Sequence, residues 1–278
     1  MRTVVEIEAL AKELYFKCGG LEISERNLYF DTDCLDMLEK KWILSKKKVI
    51  VASANFYFDN EKNKVLKPLK KANKRGTSSA DWKKAYQAIK QNRTKNLKKG
   101  NIKNLIRALS ALFLLNLYYR EDIFDLAGKN NPDFANNFSD IFNIKVHTWK
   151  GNKNEKDSYV KSEDYEECSF LIKWTDKYKA EWNEYVKEQD KILRDMIFNH
   201  PKVKKHISDN LIENGMLNQE KFNLFIKERK YFDLLDMKNE YGVMVNQAFQ
   251  KSTEKLNFNL QSPQKFEAIL NKHQKVDI

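Results

Sequence analysis

Trp82-Lys-Lys-Ala-Tyr86-Gln-Ala-Ile89-Lys90-Gln-Asn92-Arg93, followed by Ile102-Lys-Asn-Leu105-Ile106-Arg-Ala-Leu109-Ser-Ala-Leu112-Phe113-Leu-Leu-Asn-Leu-Tyr-Tyr119, decides how this chain is read. Trp82, Ala85, Tyr86 and Ile89 recur at helical spacing, with Lys83, Lys84, Gln87 and Lys90 around them. Gly76-Thr-Ser-Ser breaks the preceding pattern and offers a cap at Ser78 or Ser79. Gly100-Asn101 stops the first helix and supplies a cap for a second. That second helix begins one-sided and becomes apolar all round, as a helix entering the centre of a bundle would. The two make a helical hairpin with a basic connection.

Working outward, the charge is local. Residues 62–103 hold fifteen Lys or Arg against the single acid Asp81, a balance of +14 in a chain whose whole net charge is +12. A concentrated positive face points to a polyanion, most commonly nucleic acid. The expected phosphate ligands are Lys67, Lys70, Lys71, Lys74, Arg75, Lys83, Lys90, Arg93, Lys95, Asn96, Lys98, Lys99 and Lys103. Lysine supplies attraction without sequence preference, whereas Arg75 and Arg93 can grip a phosphate with two hydrogen bonds. With only two Arg among the fifteen, little base-specific readout is expected.

Before the hairpin, Val4, Ile7, Leu10, Ala11 and Leu14 follow helical spacing up to Gly19-Gly20. Lys48 to Phe58 reads as a strand, and Lys64-Val-Leu-Lys-Pro-Leu as a short edge strand returning beside it. After the hairpin, Phe142, Ile144, Val146 and Thr148 alternate with polar residues, as do Phe170, Ile172 and Trp174. These are expected to pair antiparallel across a polar loop from Gly151 to Asp164, with His147 on the exposed face. Asp176 to Phe198 reads as one long helix, Pro201 as the first turn of another, and Asn218 to Met237 as a third. Leu256 to Ile278 is polar and reads as a loosely held tail. The expected architecture is therefore α+β and mainly helical: a central basic helical hairpin, short antiparallel strands and a helical C-terminal half. Three segments are expected: an N-terminal α/β region (1–78), the hairpin packed with it (79–128), and a strand pair plus helical region (129–278).

The first helix of the hairpin, with its Ile89-Lys90-Gln91-Asn92-Arg93 ending and the apolar helix behind it, resembles the Ile-Lys-His-x-Arg pattern of HEPN-like helical proteins from prokaryotic defence and toxin systems. The resemblance covers about forty residues, from Ser79 to Tyr119. In active members of that superfamily an Arg and a His cut RNA without a metal. The resemblance thus implies RNA as a partner, a part in antiviral defence, and Arg93 as the catalytic cation of a metal-independent endoribonuclease. The cation would steady the crowded phosphate while a second group moves protons. The sequence departs from the pattern at that second group: the histidine position is Gln91, which cannot shuttle a proton near neutral pH. Trp82, Tyr86 and Ile89 also suit plain core, with Arg93 a solvated or salt-bridged helix end.

Other chemistry is thinly represented. Cys18, Cys34 and Cys168 form no CxxC pair, which fits a reducing compartment rather than a disulfide framework. His200 and His206 flank a helix start at a spacing unlike a zinc site, so no metal and no cofactor is expected. Asp59-Asn-Glu61-Lys62 is explained by a turn more simply than by a metal-dependent nuclease. Cys168 follows Glu166-Glu167, which raises a thiol pKa. The N-terminus has acids where a signal peptide needs an apolar run, and Ala108 to Tyr119 falls short of the roughly 20 residues of a membrane span. No membrane association and a cytoplasmic location are expected. The alternative to nucleic-acid binding is a non-enzymatic protein-interaction subunit or inhibitor. It would bind an acidic partner or form a homo-oligomer by mating residues 163–167 with the basic region of another copy.

Overall fold

A computed structural model describes residues 2–53, 58, 60–126, 138–147, 164–258 and 265–273. The chain divides into two compact units, Met1–Trp174 with Lys265–Ile278, and Thr175–Gln264. The segment boundaries at 78 and 128 fall inside the first unit. The architecture is α+β and mainly helical. Among the described residues, no helix is long and apolar enough to cross a membrane.

In chain order the first unit begins with α1 (Arg2–Lys17), α2 (Asp36–Trp42), β1 (Val49–Val51), α3 (Glu61–Lys64) and β2 (Val65–Leu66). The basic helices follow as α4 (Asp81–Gln91), the short α5 (Arg93–Asn96) and α6 (Ile102–Arg120). Then come β3 (Phe124–Asp125), β4 (Phe142–Ile144), β5 (Val146–His147) and β6 (Phe170–Trp174). The second unit holds α7 (Asp176–Asn199), α8 (Pro201–Asn210), β7 (Ile212–Glu213), β8 (Met216–Leu217), α9 (Gln219–Lys227) and α10 (Gly242–Leu256). The chain then returns to the first unit as β9 (Phe266–Leu270).

The core of the first unit is built on α1 against α6. Ile7, Ala11 and Leu14 of α1 are sealed, as are Ala111, Leu114, Leu115 and Tyr118 of α6. Each buried Leu or Ile side chain contributes roughly 1.5–3 kcal/mol over exposure, which makes this helix pair the frame of the unit. Asn101 caps α6, its side chain accepting from Asn104 N, as the sequence predicts. At the far end of α6, Trp42 packs 4.9 Å from the Tyr118 ring. The Tyr118 hydroxyl donates to the Asn271 carbonyl at 2.8 Å, which ties α6 to the end of β9.

Two small sheets lie in this unit. One has the order β2-β1-β4 with antiparallel neighbours, so Val65–Leu66 does return beside β1. Residues 54–57 and 59, part of the expected strand and turn, lie outside the described residues, as do Thr148 and positions 151–163 of the expected loop. The other sheet has the order β3-β9-β6-β5. Here two expectations are corrected. β5 and β6 run parallel, with Val146 opposite Phe170, whereas β4 pairs with β1. Within the C-terminal segment Phe266–Leu270 is no loose tail: β9 pairs antiparallel with both β6 and β3, and Ala268 and Leu270 are buried. A five-residue strand takes its stability from cross-strand partners far away in sequence, so its local polarity is a poor guide.

In the second unit α7 packs against α10, with Tyr185 buried against the Phe258 ring at 5.0 Å. Ile197, Val203, Leu211, Phe225, Leu235 and Met244 form a second core. Pro201 opens α8 as expected. Asn218 caps α9, but the helix stops at Lys227 rather than Met237, where Arg229 turns left-handed (φ 54°) into a 3-10 turn.

Candidate functional site

The basic stretch is shaped by two neighbouring side chains of α4. Trp82 is buried and its indole Nε1 donates to the Pro68 carbonyl at 2.9 Å. Lys83, 3% exposed, sends its ammonium back to the Ala72 and Lys74 carbonyls at 3.2 and 2.6 Å. Between these anchors Leu69 and Ala72 face inward and are buried, so Lys70, Lys71 and Lys74 are turned to solvent. The loop from Pro68 to Arg75 is thus an ordered platform of lysines. Lys71 occupies the left-handed region (φ 62°).

Lys83 is also the site's buried charge. Its Nζ lies 2.6 Å from Asp31 Oδ2, and both side chains are sealed. Arg75 adds two hydrogen bonds to Asp31 Oδ1, from Nε at 3.1 Å and Nη2 at 2.9 Å, while the Thr32 N–H donates at 2.7 Å. Burial pushes the Asp31 carboxyl upward, but the hydrogen bonds from Arg75 and Lys83 outweigh it and hold the group at about 2. The Arg75 guanidinium also lies 3.7 Å from the centre of the Tyr29 ring. Two of the expected phosphate ligands are therefore engaged within the protein. Lys83 is inaccessible, a correction to its expected surface role, and Arg75 offers only its outer edge.

Part of the basic surface lines a trough of about 500 Å³. Lys48, Lys62, Lys67, Lys70, Lys71, Lys84 and Arg107 line it with Thr77, Ser79 and Trp82, and among the described residues Asp81 is the one carboxylate on its wall. Asp81 is met by Lys84 at 3.1 Å and Arg107 at 2.8 Å. Lys48 and Lys67 share Glu167 with Lys145. Burial pushes the Glu167 carboxyl up, yet hydrogen bonds from these three lysines bring it to about 2. Lys62, Lys70 and Lys71 are exposed and form no ion pair with described residues. A second depression, of about 740 Å³, lies across the turn Gly76–Ser78 and is lined by Lys12, Tyr29, Asp31, Arg75, Lys83 and Lys90, among others. Thr77, Ser79 and Lys84 belong to both walls.

Of the expected ligands, the structure gathers Lys67, Lys70 and Lys71 in the trough, and Arg75, Lys83 and Lys90 around the second depression. Lys103 lines a smaller hollow with Ile102 and Ile106. Lys74, Arg93, Lys95, Lys98 and Lys99 are exposed and line none of the three. The Asn96 amide donates to the Ala88 and Asn92 carbonyls, a structural task rather than phosphate orientation. Arg93 does not end α4. The helix breaks at Asn92 (φ −150°), whose side chain caps the short α5, and Arg93 starts it. Among the described residues no hydrogen bond or ion pair links the Arg93 guanidinium to a histidine or carboxylate. Lys48, Lys62, Lys84 and Arg107 line the trough without having been expected there. For Lys62 and Lys84 the charge run was the available signal; Lys48 and Arg107 carry no local one.

His147 is buried beside Asp164 (3.4 Å), not exposed, because β5 pairs with β6 and the Tyr165 ring packs against the imidazole. Burial lowers its pKa, with Asp164 opposing. Donor atoms of His147, Asp164 and Cys168 lie within 4.8 Å of one another, a spacing a metal could bridge. Lys145 holds the Asp164 carboxylate at 3.1 Å, and burial pushes the Cys168 thiol to about 12. That arrangement suits hydrogen bonding, and we assign no metal role to it. No family model, curated protein or solved structure matches this chain.

Proposed function

We propose that the protein binds the phosphate backbone of a nucleic acid in the trough between β2, the Pro68–Arg75 loop and α4. One observation carries this reading: among the described residues, seven cations line the trough against one carboxylate, and Lys62, Lys70 and Lys71 have no ionic partner. Lysines meeting a phosphate displace condensed counterions, and that release offsets the side-chain freedom they lose. The resemblance of α4 and α6 to HEPN-like proteins favours RNA as the polymer and a defence system as the setting. Binding is proposed rather than cleavage, since among the described residues no hydrogen bond or ion pair joins Arg93 to a proton-transferring group.

The test is a salt titration of binding to labelled single-stranded RNA and to duplex DNA. Wild-type affinity is expected to fall steeply with salt, with a slope of roughly −0.7 per phosphate contact on single strands. Replacing Lys62, Lys70 and Lys71 by Ala, all exposed and free of packing duties, is expected to reduce that slope by about 2. Absence of binding to either polymer at low salt overturns the proposal.

A further inference from the structure

The α4 end of the trough is more specialised than a general polyanion needs. Helix α4 is eleven residues long, and Ala80 at its N-cap supplies no side-chain acceptor. Its first intrahelical bond runs from Lys84 N to the Ala80 carbonyl, so the preceding first-turn N–H groups have no partner within the helix. Beside them sits Ser79. It is 5% exposed, it is among the residues lining both depressions, and its buried Oγ has no hydrogen-bond partner among the described residues. A buried hydroxyl left unmet costs stability, and one held at a helix N-terminus is waiting for an acceptor. Thr77 adds a second hydroxyl nearby, and Lys84, Lys67 and Lys71 supply charge.

We infer that this end of the trough is a binding site for a phosphate monoester, and that in the proposed nucleic-acid reading it captures a terminal phosphate. The inference deepens that reading and rests on it for the polymer, though not for the monoester. A monoester carries about −1.5 to −2 charges near neutral pH and three strong acceptor oxygens, whereas a backbone diester carries one charge and two free oxygens. Unpaired backbone N–H groups, a sealed hydroxyl and several ammonium groups around one trough match the former. Asp81 lies in the first turn, but two cations already meet it.

The decisive experiment compares a short single-stranded RNA bearing a 5′-phosphate, a 3′-phosphate or hydroxyl ends, using wild-type protein and Ser79→Ala. Inorganic phosphate and adenosine monophosphate serve as small probes in thermal melts. One phosphorylated end is expected to bind about tenfold more tightly than hydroxyl ends, the scale of one hydrogen bond to a charged group. Ser79→Ala is expected to erase that preference. The variant removes an unmet hydroxyl, so its own melting midpoint should equal or exceed the wild type's. If the small probes stabilise wild type but not Ser79→Ala while no RNA binds, the monoester site stands and the nucleic-acid reading falls. Equal binding of phosphorylated and hydroxyl ends, with no stabilisation by either small probe, overturns the site while leaving backbone binding intact.

Discussion

The ammonium of Lys83 lies 2.6 Å from the carboxylate of Asp31, fifty-two positions earlier in the chain, and both side chains are buried. This pair is the internal support of a surface that is otherwise lysine facing water. Through Lys83 the same contact holds the Ala72 and Lys74 carbonyls, and so the loop that presents Lys70 and Lys71.

Removing Asp31 strands the Lys83 charge in the interior. Asp31→Ala is expected to lower stability by about 3–5 kcal/mol in urea unfolding, the usual cost of breaking a buried pair from one side. The acid limb of the stability curve should change with it. The Asp31 pKa in the folded state is about 2, below its ordinary 3.8, so its contribution is complete above about pH 4 and is lost as pH falls toward 2. A variant within about 1 kcal/mol of wild type, with an unchanged acid limb, contradicts this account of the pair.

What the sequence discloses here divides by distance along the chain. The Trp82-Ala85-Tyr86 face and the Asn101 cap are visible because periodicity and caps are written within a few residues. The role of Lys83 is invisible, since its partner is far away and its neighbours Lys84 and Lys90 are exposed. The same holds for Lys48 and Arg107, which reach the trough only after β1 and α6 fold. In β9, Phe266, Ala268 and Leu270 alternate, but five residues among polar neighbours carry too little signal, and the strand's place is set by β3 and β6. The parallel pairing of β5 with β6 likewise follows from which neighbours the other strands leave free.

That strand gives a test of its own. A chain ending at Gln264 loses Ala268 and Leu270 from the core, one of the two central strands of the four-stranded sheet, and the acceptor of the Tyr118 hydroxyl. Its first unit is expected to lose cooperative unfolding, read as a flattened thermal transition and loss of near-ultraviolet dichroism from Trp42 and Tyr118. A sharp wild-type-like melt would show that β9 contributes nothing essential.

Glu167 restrains the trough, because Lys48 and Lys67 line the wall while bound to its carboxylate. Glu167→Gln removes one negative charge and releases two cations toward a ligand. RNA affinity at low salt is expected to rise several-fold, with a slope against salt steeper by about 1. The cost falls on stability: with a folded pKa of about 2 against an ordinary 4.5, the wild-type carboxylate stabilises the fold above about pH 4.5 and ceases to do so as pH falls toward 2. Weaker RNA binding by Glu167→Gln would mean that the glutamate positions the lysines for the ligand rather than occupying them.

Lys47 presents the opposite case. Its side chain is fully buried, its Nζ has no hydrogen-bond partner among the described residues, and burial lowers its pKa to about 8 from an ordinary 10.5. Since the folded value lies below the unfolded one, the unfolded chain holds more protons between pH 8 and 10.5. Stability attributable to this residue therefore rises with pH across that window, and the full penalty applies below pH 8. Lys47→Met keeps the volume and removes the charge. The difference between variant and wild-type stability is expected to be about 3 kcal/mol in the variant's favour at pH 7, shrinking toward zero by about pH 10.5. Denaturant titrations at several pH values measure that difference directly. A variant less stable than wild type at pH 7 would instead establish that the ammonium has a partner worth more than its desolvation.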